Sequence, residues 1–433
     1  MESAASVVER TFREEWGRIL AALIAATGDF ALAEDALQDA MLAALRQWPA
    51  EGVPRNPPAW LTQIARRRAF DRLRRDATLL RKQETLQALT GLERHESAGP
   101  HDDAHDDEAA PFPDERLKLI FTCCHPALAL EARVALTLRA LGGLSSAEVA
   151  AAFLVPVATM QQRLVRAQRK IRDAGIPYRV PPAHLLPERL DGVLAVLYLI
   201  FNEGYAATVG DALIRQDLCA EAVRLARVLT DLLAGDPELA EEPEALGLLA
   251  LMLLHQARRH ARVDAAGDLV LLEDQDRTLW DRDEIAAGTA LLDRALALRR
   301  PGPYQVQAAI AALHAEAPRA KETDWQQIAL LYGRLASMTP SPVVELNHAA
   351  AVAMSGGPEC GLALLDQLRL AEALDRYHLY HAARADLLRR AGRPGEAAQS
   401  YRRALALCQN RIERRFLRKR LAEVESAAPR PQS

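Results

Sequence analysis

Apolar residues recur at helical spacing along nearly the whole chain. Ala33, Leu37, Ala40, Met41 and Ala44 fall on one stripe, with Asp29 placed to cap their helix. After Asn56-Pro57-Pro58, Leu61, Ile64, Ala65, Ala69 and Leu73 form a second stripe; proline in the first turn fixes where that helix begins. A periodic helix over Ala132–Leu141 is stopped by Gly142-Gly143. Ser145 or Ser146 then caps a short helix, Ala147–Phe153, with Glu148 as capping-box partner and Val149, Ala150 and Phe153 inward. Leu154-Val155-Pro156 makes a turn, and a longer helix from about Val157 to Ala174 buries Met160, Leu164, Ala167 and Ile171. Apolar content is rich in Ala and Leu and poor in runs of β-branched or aromatic residues, so the predicted fold class is all-α.

Composition shifts divide the chain into a helical domain over 6–80, an acidic linker over 81–114, a helical domain over 115–178 and a long helical block over 188–425. The linker holds Glu93, Glu96, Asp102, Asp103, Asp106, Asp107 and Glu108 among Gly99, Pro100, Pro111 and Pro113, a stretch that cannot bury a core. Pro177, Pro181, Pro182 and Pro187 close the third block, and Ala427–Ser433 is predicted to fray. In the last block, Ala382–Leu407 resembles the second half of a tetratricopeptide repeat (TPR), with Gly392, Ala397, Tyr401 and Ala404-Leu405 in place. One repeat length upstream lie Ala349 and Ala363, although Gln367 stands where a large apolar residue is expected. A TPR-like solenoid with degenerate repeats and an irregular bundle are the two readings of this block.

Composition narrows the options. The chain has 433 residues and a formal net charge of -4, so no global charge excess announces a nucleic acid. Its length suggests about two to four domains. No apolar run of about 18 residues is free of charges, and Met1–Arg18 has no apolar signal core, so neither a membrane span nor a secretory leader is expected. Cys123, Cys124, Cys219, Cys360 and Cys408 are scattered and odd in number, which suits reduced thiols and a cytoplasmic protein. Lysine stands only at Lys82, Lys118, Lys170, Lys321 and Lys419, so arginine supplies nearly all the positive charge.

Local charge is where chemistry shows. The second stripe's helix carries Arg66, Arg67, Arg68, Arg72, Arg74 and Arg75 against Asp71 and Asp76, a density that a polyanion would relieve. The helix before it places Glu34, Asp35, Gln38 and Asp39 on one exposed face, either as favourable charge near a helix N-terminus or as a dock for a basic partner. The short helix, turn and longer helix of 146–174 form a helix-turn-helix pattern. Thr159, Gln161, Gln162 and Arg163 are candidate readers of base edges, and Arg166, Arg169 and Lys170 candidate phosphate clamps.

Two basic helical modules joined by a linker resemble extracytoplasmic-function sigma factors. Gly28-Asp29 through Asp39 is similar to the motif that docks on the β′ coiled coil of RNA polymerase. Trp60-Leu61-Thr62-Gln63-Ile64-Ala65-Arg66, with Asp71 and Leu73-Arg74-Arg75, is similar to the helix that opens and reads the minus-ten element. Arg67 stands where the family usually has asparagine. Ser145–Arg172 is similar to region 4, the minus-thirty-five reader. Asp114 through Pro126, and Leu190 through Tyr205, resemble a sigma subgroup with a long TPR-like extension. The resemblance implies core RNA polymerase (β′ and β subunits) and promoter DNA as partners. It implies recognition of the downstream element by Trp60, Arg66, Arg67, Asp71, Arg74 and Arg75, and an extension that regulates activity or binds a peptide or protein.

Two other features compete for attention. Cys123-Cys124-His125 invites a metal reading, but no CxxC or HxxxH partner is close, so packing is expected and no metal. Phe201-Asn202-Glu203-Gly204-Tyr205 is polar inside an apolar run and reads as a functional groove or as a helix end capped by Gly204. No GxGxxG, P-loop, GxSxG or HExxH motif occurs, so no enzyme and no cofactor is expected. The rival reading is a helix-turn-helix regulator with a TPR-like sensor that acts without being a sigma subunit.

Overall fold

The computed structural model describes residues 4–88, 115–153, 155–205, 215–235 and 242–427. Among these the chain is helical; the nearest thing to a strand is one isolated bridge, Val263 with Leu269. The chain divides into two compact units, Met1–Val196 and Leu197–Ser433.

The first unit holds α1 (Ala4–Thr27), α2 (Phe30–Glu51), α3 (Pro57–Ala88), α4 (Arg116–Cys123), α5 (Leu130–Ala140), α6 (Ser146–Ala152) and α7 (Val157–Asp173). Leu130–Ala140, Ser146–Ala152 and Val157–Asp173 agree with the sequence-predicted helices to within two residues at either end. α3 runs on to Ala88, past the position where the composition changes; the acidic segment 89–114 lies outside the described residues. Asp29 caps α2, its Oδ1 accepting from Leu32 N at 3.0 Å, and Asn56 does the same for α3 through Ala59 N at 3.2 Å. The predicted stripe of α2 is buried throughout. On α3 Leu61, Ala65 and Ala69 are buried, while Ile64 and Leu73 are half-buried.

α1 joins the two modules of this unit. Trp16, Leu20, Leu23 and Ile24 are buried on it. Trp16 Nε1 donates to Arg139 O at 3.3 Å, and the Tyr178 hydroxyl donates to Ala21 O at 2.8 Å. Gly143 turns the chain after α5 at φ +70°, a conformation side-chain-bearing residues disfavour, with the Trp16 ring about a contact distance away. The module after the linker is therefore folded against the module before it.

The helix α8 (Leu186–Tyr205) crosses the boundary between the units in sequence. The second unit continues with α9 (Gln216–Ala234), α10 (Pro243–Gln256), α11 (Arg282–Ala297), α12 (Pro303–Glu316), α13 (Trp325–Met338) and α14 (Pro342–Gly356). It ends with α15 (Pro358–Leu365), α16 (Leu368–Leu374), α17 (His378–Arg390), α18 (Pro394–Leu407) and α19 (Arg411–Ala427). α10 is apolar on all sides because it is buried on all sides, packed by α9, α11 and α12. The stretch that resembles a TPR unit forms a helix pair, α17 and α18. Gly392 (φ +73°) ends α17, and Ala385, Ala397, Tyr401 and Ala404 close the interface, each at most 2 % exposed. One repeat upstream, Ala349 is buried but Ala363 faces solvent, so the spacing fades there. Among the described residues no helix is long and apolar enough to cross a membrane.

Candidate nucleic-acid interface

The short helix α6 is fixed by a reciprocal cap. Ser145 Oγ accepts from Glu148 N at 3.2 Å, and Glu148 Oε2 accepts from Ser145 N at 2.7 Å. Of the two serines open to the sequence, Ser145 is the cap. Val149 and Ala150 are buried and Phe153 is half-buried. The turn leads to Pro156, whose fixed φ starts α7. α7 is strongly two-faced. Met160, Leu164, Ala167 and Ile171 are buried, while Gln161, Gln162, Arg166, Arg169 and Lys170 are exposed and Thr159 and Arg163 half-buried. All seven candidate contacts thus lie off the buried stripe of one helix. Arg169 also borders a groove of about 540 Å³ between α7 and Gly28–Ala31 at the start of α2.

On α3 the arginines part into two groups. Arg68 Nη1 donates to Asp39 O at 2.7 Å. Arg72 pairs with Asp35 at 3.1 Å and with Asp39 at 2.6 Å. These two turn towards α2 and are spent on it, which sequence could not show because the partners lie about nine turns of helix away in the chain. Arg66, Arg67, Arg74 and Arg75 remain exposed, and Asp71 is half-buried. Arg66 lies over the Phe70 ring at 5.7 Å. Trp60 is half-buried, set edge-on to the buried Trp48 at 5.4 Å between ring centroids. Its ring is partly structural and partly surface.

The acidic face of α2 is likewise divided. Asp35 and Gln38 are exposed, and Gln38 donates to Glu34 at 3.3 Å. Asp39 is half-buried under Arg72 and Arg68. Glu34 forms an ion pair with Arg139 of α5, both side chains largely buried. Sequence patterning put Glu34 on an exposed face; packing of α5 against α1 brings it Arg139 as a partner. Arg139 was invisible as a site residue, since a single arginine in a periodic helix carries no signal.

Cys123 and Cys124 are buried. Burial pushes the Cys123 thiol well up and raises that of Cys124 to about 11, with Thr137 Oγ1 at 3.6 Å from its sulfur. Both are neutral packing groups. His125 instead shapes a turn, its Nδ1 accepting from Ala127 N at 3.2 Å.

The comparisons with known proteins divide the chain along the same lines. Residues 12–78 match the family described as Sigma-70 region 2, and residues 118–171 match Sigma-70, region 4. Residues 189–296 match a family of unknown function, DUF6596. An uncharacterized protein of Rhizobium meliloti (strain 1021) is 46% identical over 392 residues, covering 90% of this chain and 89% of its own length.

Proposed function

The chain belongs to the sigma-70 family, as an extracytoplasmic-function type with a helical C-terminal extension, and from this we propose how it selects promoters. Sigma-70 domains of these two kinds interact with core RNA polymerase and promoter DNA. In our reading, α7 enters the major groove of the upstream element, with Thr159, Gln161, Gln162 and Arg163 towards base edges and Arg166, Arg169 and Lys170 on phosphates. The exposed arginines of α3 (Arg66, Arg67, Arg74 and Arg75), with Trp60 and Asp71, take the downstream element, where melted bases are held outside the stack. Glu34, Asp35, Gln38 and Asp39 dock on the β′ subunit.

The observation that carries this reading is the two-faced α7, capped, buried on one side and polar on the other. The ion pairs of Glu34 with Arg139 and of Asp35 and Asp39 with Arg72 add a condition: core polymerase competes with these internal partners for the acidic face. The TPR-like second unit regulates activity or binds a partner. In vitro transcription with the full chain and purified core polymerase tests the proposal. Promoter-dependent transcripts are expected, and a chain that directs none from any promoter library refutes it.

A further inference from the structure

The second unit gathers guanidiniums and imidazoles around Tyr205, next to the ion pairs of Arg259 with Asp281 and Glu284. Arg258, just past α10, donates to the Tyr205 hydroxyl and lies 3.4 Å from His255 Nδ1, two neutral partners. Arg262 donates to the Tyr205 carbonyl, with its guanidinium carbon 3.6 Å from the centre of the Tyr205 ring. Arg277 donates to the carbonyls of His314 and Ala317 and lies over Trp280. Arg262 and Arg277 are 8% and 9% exposed. Among the described residues none of the three arginines forms an ion pair with a carboxylate; Glu413 lies within electrostatic reach of Arg262 and Glu322 of Arg277.

The imidazoles respond to this field. Burial holds His255 well below the ordinary imidazole range, reinforced by Arg258, Arg262 and His314. Burial, then Arg258 and Arg277, pulls His314 down to about 4. His314 Nδ1 and Arg277 Nε are buried without a hydrogen-bond partner. Guanidiniums removed from water and bonded to carbonyls or to neutral side chains are costly unless an anion joins them, and unpaired buried polar atoms add to that cost. Tyr205, His255, Arg258 and His314 are nevertheless only half-buried, so this cluster keeps a solvent-facing side.

We propose that this cluster is a binding site for a small-molecule oxyanion, a carboxylate or phosphate group, held by Arg258 with His314 beside it and the Tyr205 hydroxyl aligning the guanidinium. The guanidinium fork suits the paired oxygens of either group. Phe201 stacks on Tyr205 at 5.7 Å, so the Phe201–Tyr205 motif supplies a wall of the site.

Thermal unfolding of the full chain in phosphate, benzoate or chloride at matched ionic strength tests it. Phosphate or benzoate is expected to raise the midpoint by about 2 °C or more beyond chloride. Arg258→Gln and Tyr205→Phe are expected to lose at least half of that excess, with helical circular dichroism unchanged. An excess with benzoate alone identifies a carboxylate ligand, and with phosphate alone a phosphorylated one. Should Arg258→Gln fail to fold, Tyr205→Phe, which removes a single hydroxyl, carries the comparison. No excess over chloride in the wild type, or an equal excess in the folded variants, overturns the proposal.

Discussion

Glu34 on α2 and Arg139 on α5, 105 residues apart in sequence, form an ion pair with side chains only 15% and 12% exposed. Arg139 also donates to Leu144 O at 2.8 Å and lies over the Trp16 ring. One guanidinium therefore holds the turn before the helix-turn-helix, the central tryptophan of α1 and a residue of the proposed polymerase dock.

Removing that guanidinium has two opposed consequences. Arg139→Ala leaves a largely buried carboxylate without its cation and is expected to cost about 2–4 kcal/mol of stability. It also frees Glu34, so core polymerase affinity per folded molecule is expected to rise. Chemical denaturation and polymerase titration measure the two effects. A double-mutant cycle with Glu34→Gln is expected to give a coupling of at least about 0.5 kcal/mol; additive losses would show that the pair is not coupled.

Arg72 bridges Asp35 and Asp39 at a more exposed place, with side-chain exposures of 36%, 63% and 34%. Solvent and salt screen such a pair, so Arg72→Ala is expected to cost about 0–1 kcal/mol, and less at high salt. Its effect belongs in polymerase binding. If the acidic face is the dock, removing its internal competitor strengthens binding, whereas Asp35→Ala weakens it. Equal affinities for wild type and both variants would place the dock elsewhere.

Readers and clamps on α7 are separable. Gln161→Ala or Gln162→Ala is expected to relax base preference at single positions of the upstream element, each by about 1–3 kcal/mol of discrimination. Arg169→Ala or Lys170→Ala is expected to weaken all promoters alike and lower the salt slope of DNA binding by about 0.9 per lost contact. Competition assays of polymerase holoenzyme on promoter libraries distinguish these patterns.

The turn into the helix-turn-helix makes a stability prediction that is independent of DNA. Ser145→Ala removes one arm of the reciprocal cap and is expected to cost about 1 kcal/mol. Gly143→Ala is expected to cost more, because the residue stands at φ +70° and a methyl group would sit 3.2 Å from the Trp16 ring. Denaturation midpoints that place Ser145→Ala below Gly143→Ala would contradict this ranking.

Helical periodicity, caps and breakers were local properties, and they were legible. The stripe of α2, the Asn56-Pro57-Pro58 start of α3 and the buried set Met160, Leu164, Ala167 and Ile171 follow from spacing alone, because a helix repeats its faces every few residues. The acid and base surfaces were legible as composition but not as pairings. Sequence spacing shows which residues share a helix face and says nothing about which face of another helix meets it. In the second unit the repeat spacing fades at Ala363, so a TPR-like pattern is carried only by α17 and α18.

By itself, then, the sequence determined an all-α chain with a capped helix-turn-helix and a basic helix preceded by an acidic one. Tertiary structure decided which charges remain for partners. It turned Arg68 and Arg72 onto α2, paired Glu34 with Arg139 and brought Tyr205 of α8, His255 and Arg258 at the end of α10, and His314 of α12 into one cluster. Helix propensity and capping act over a few residues, whereas charge pairing acts across space and depends on packing that brings distant segments together.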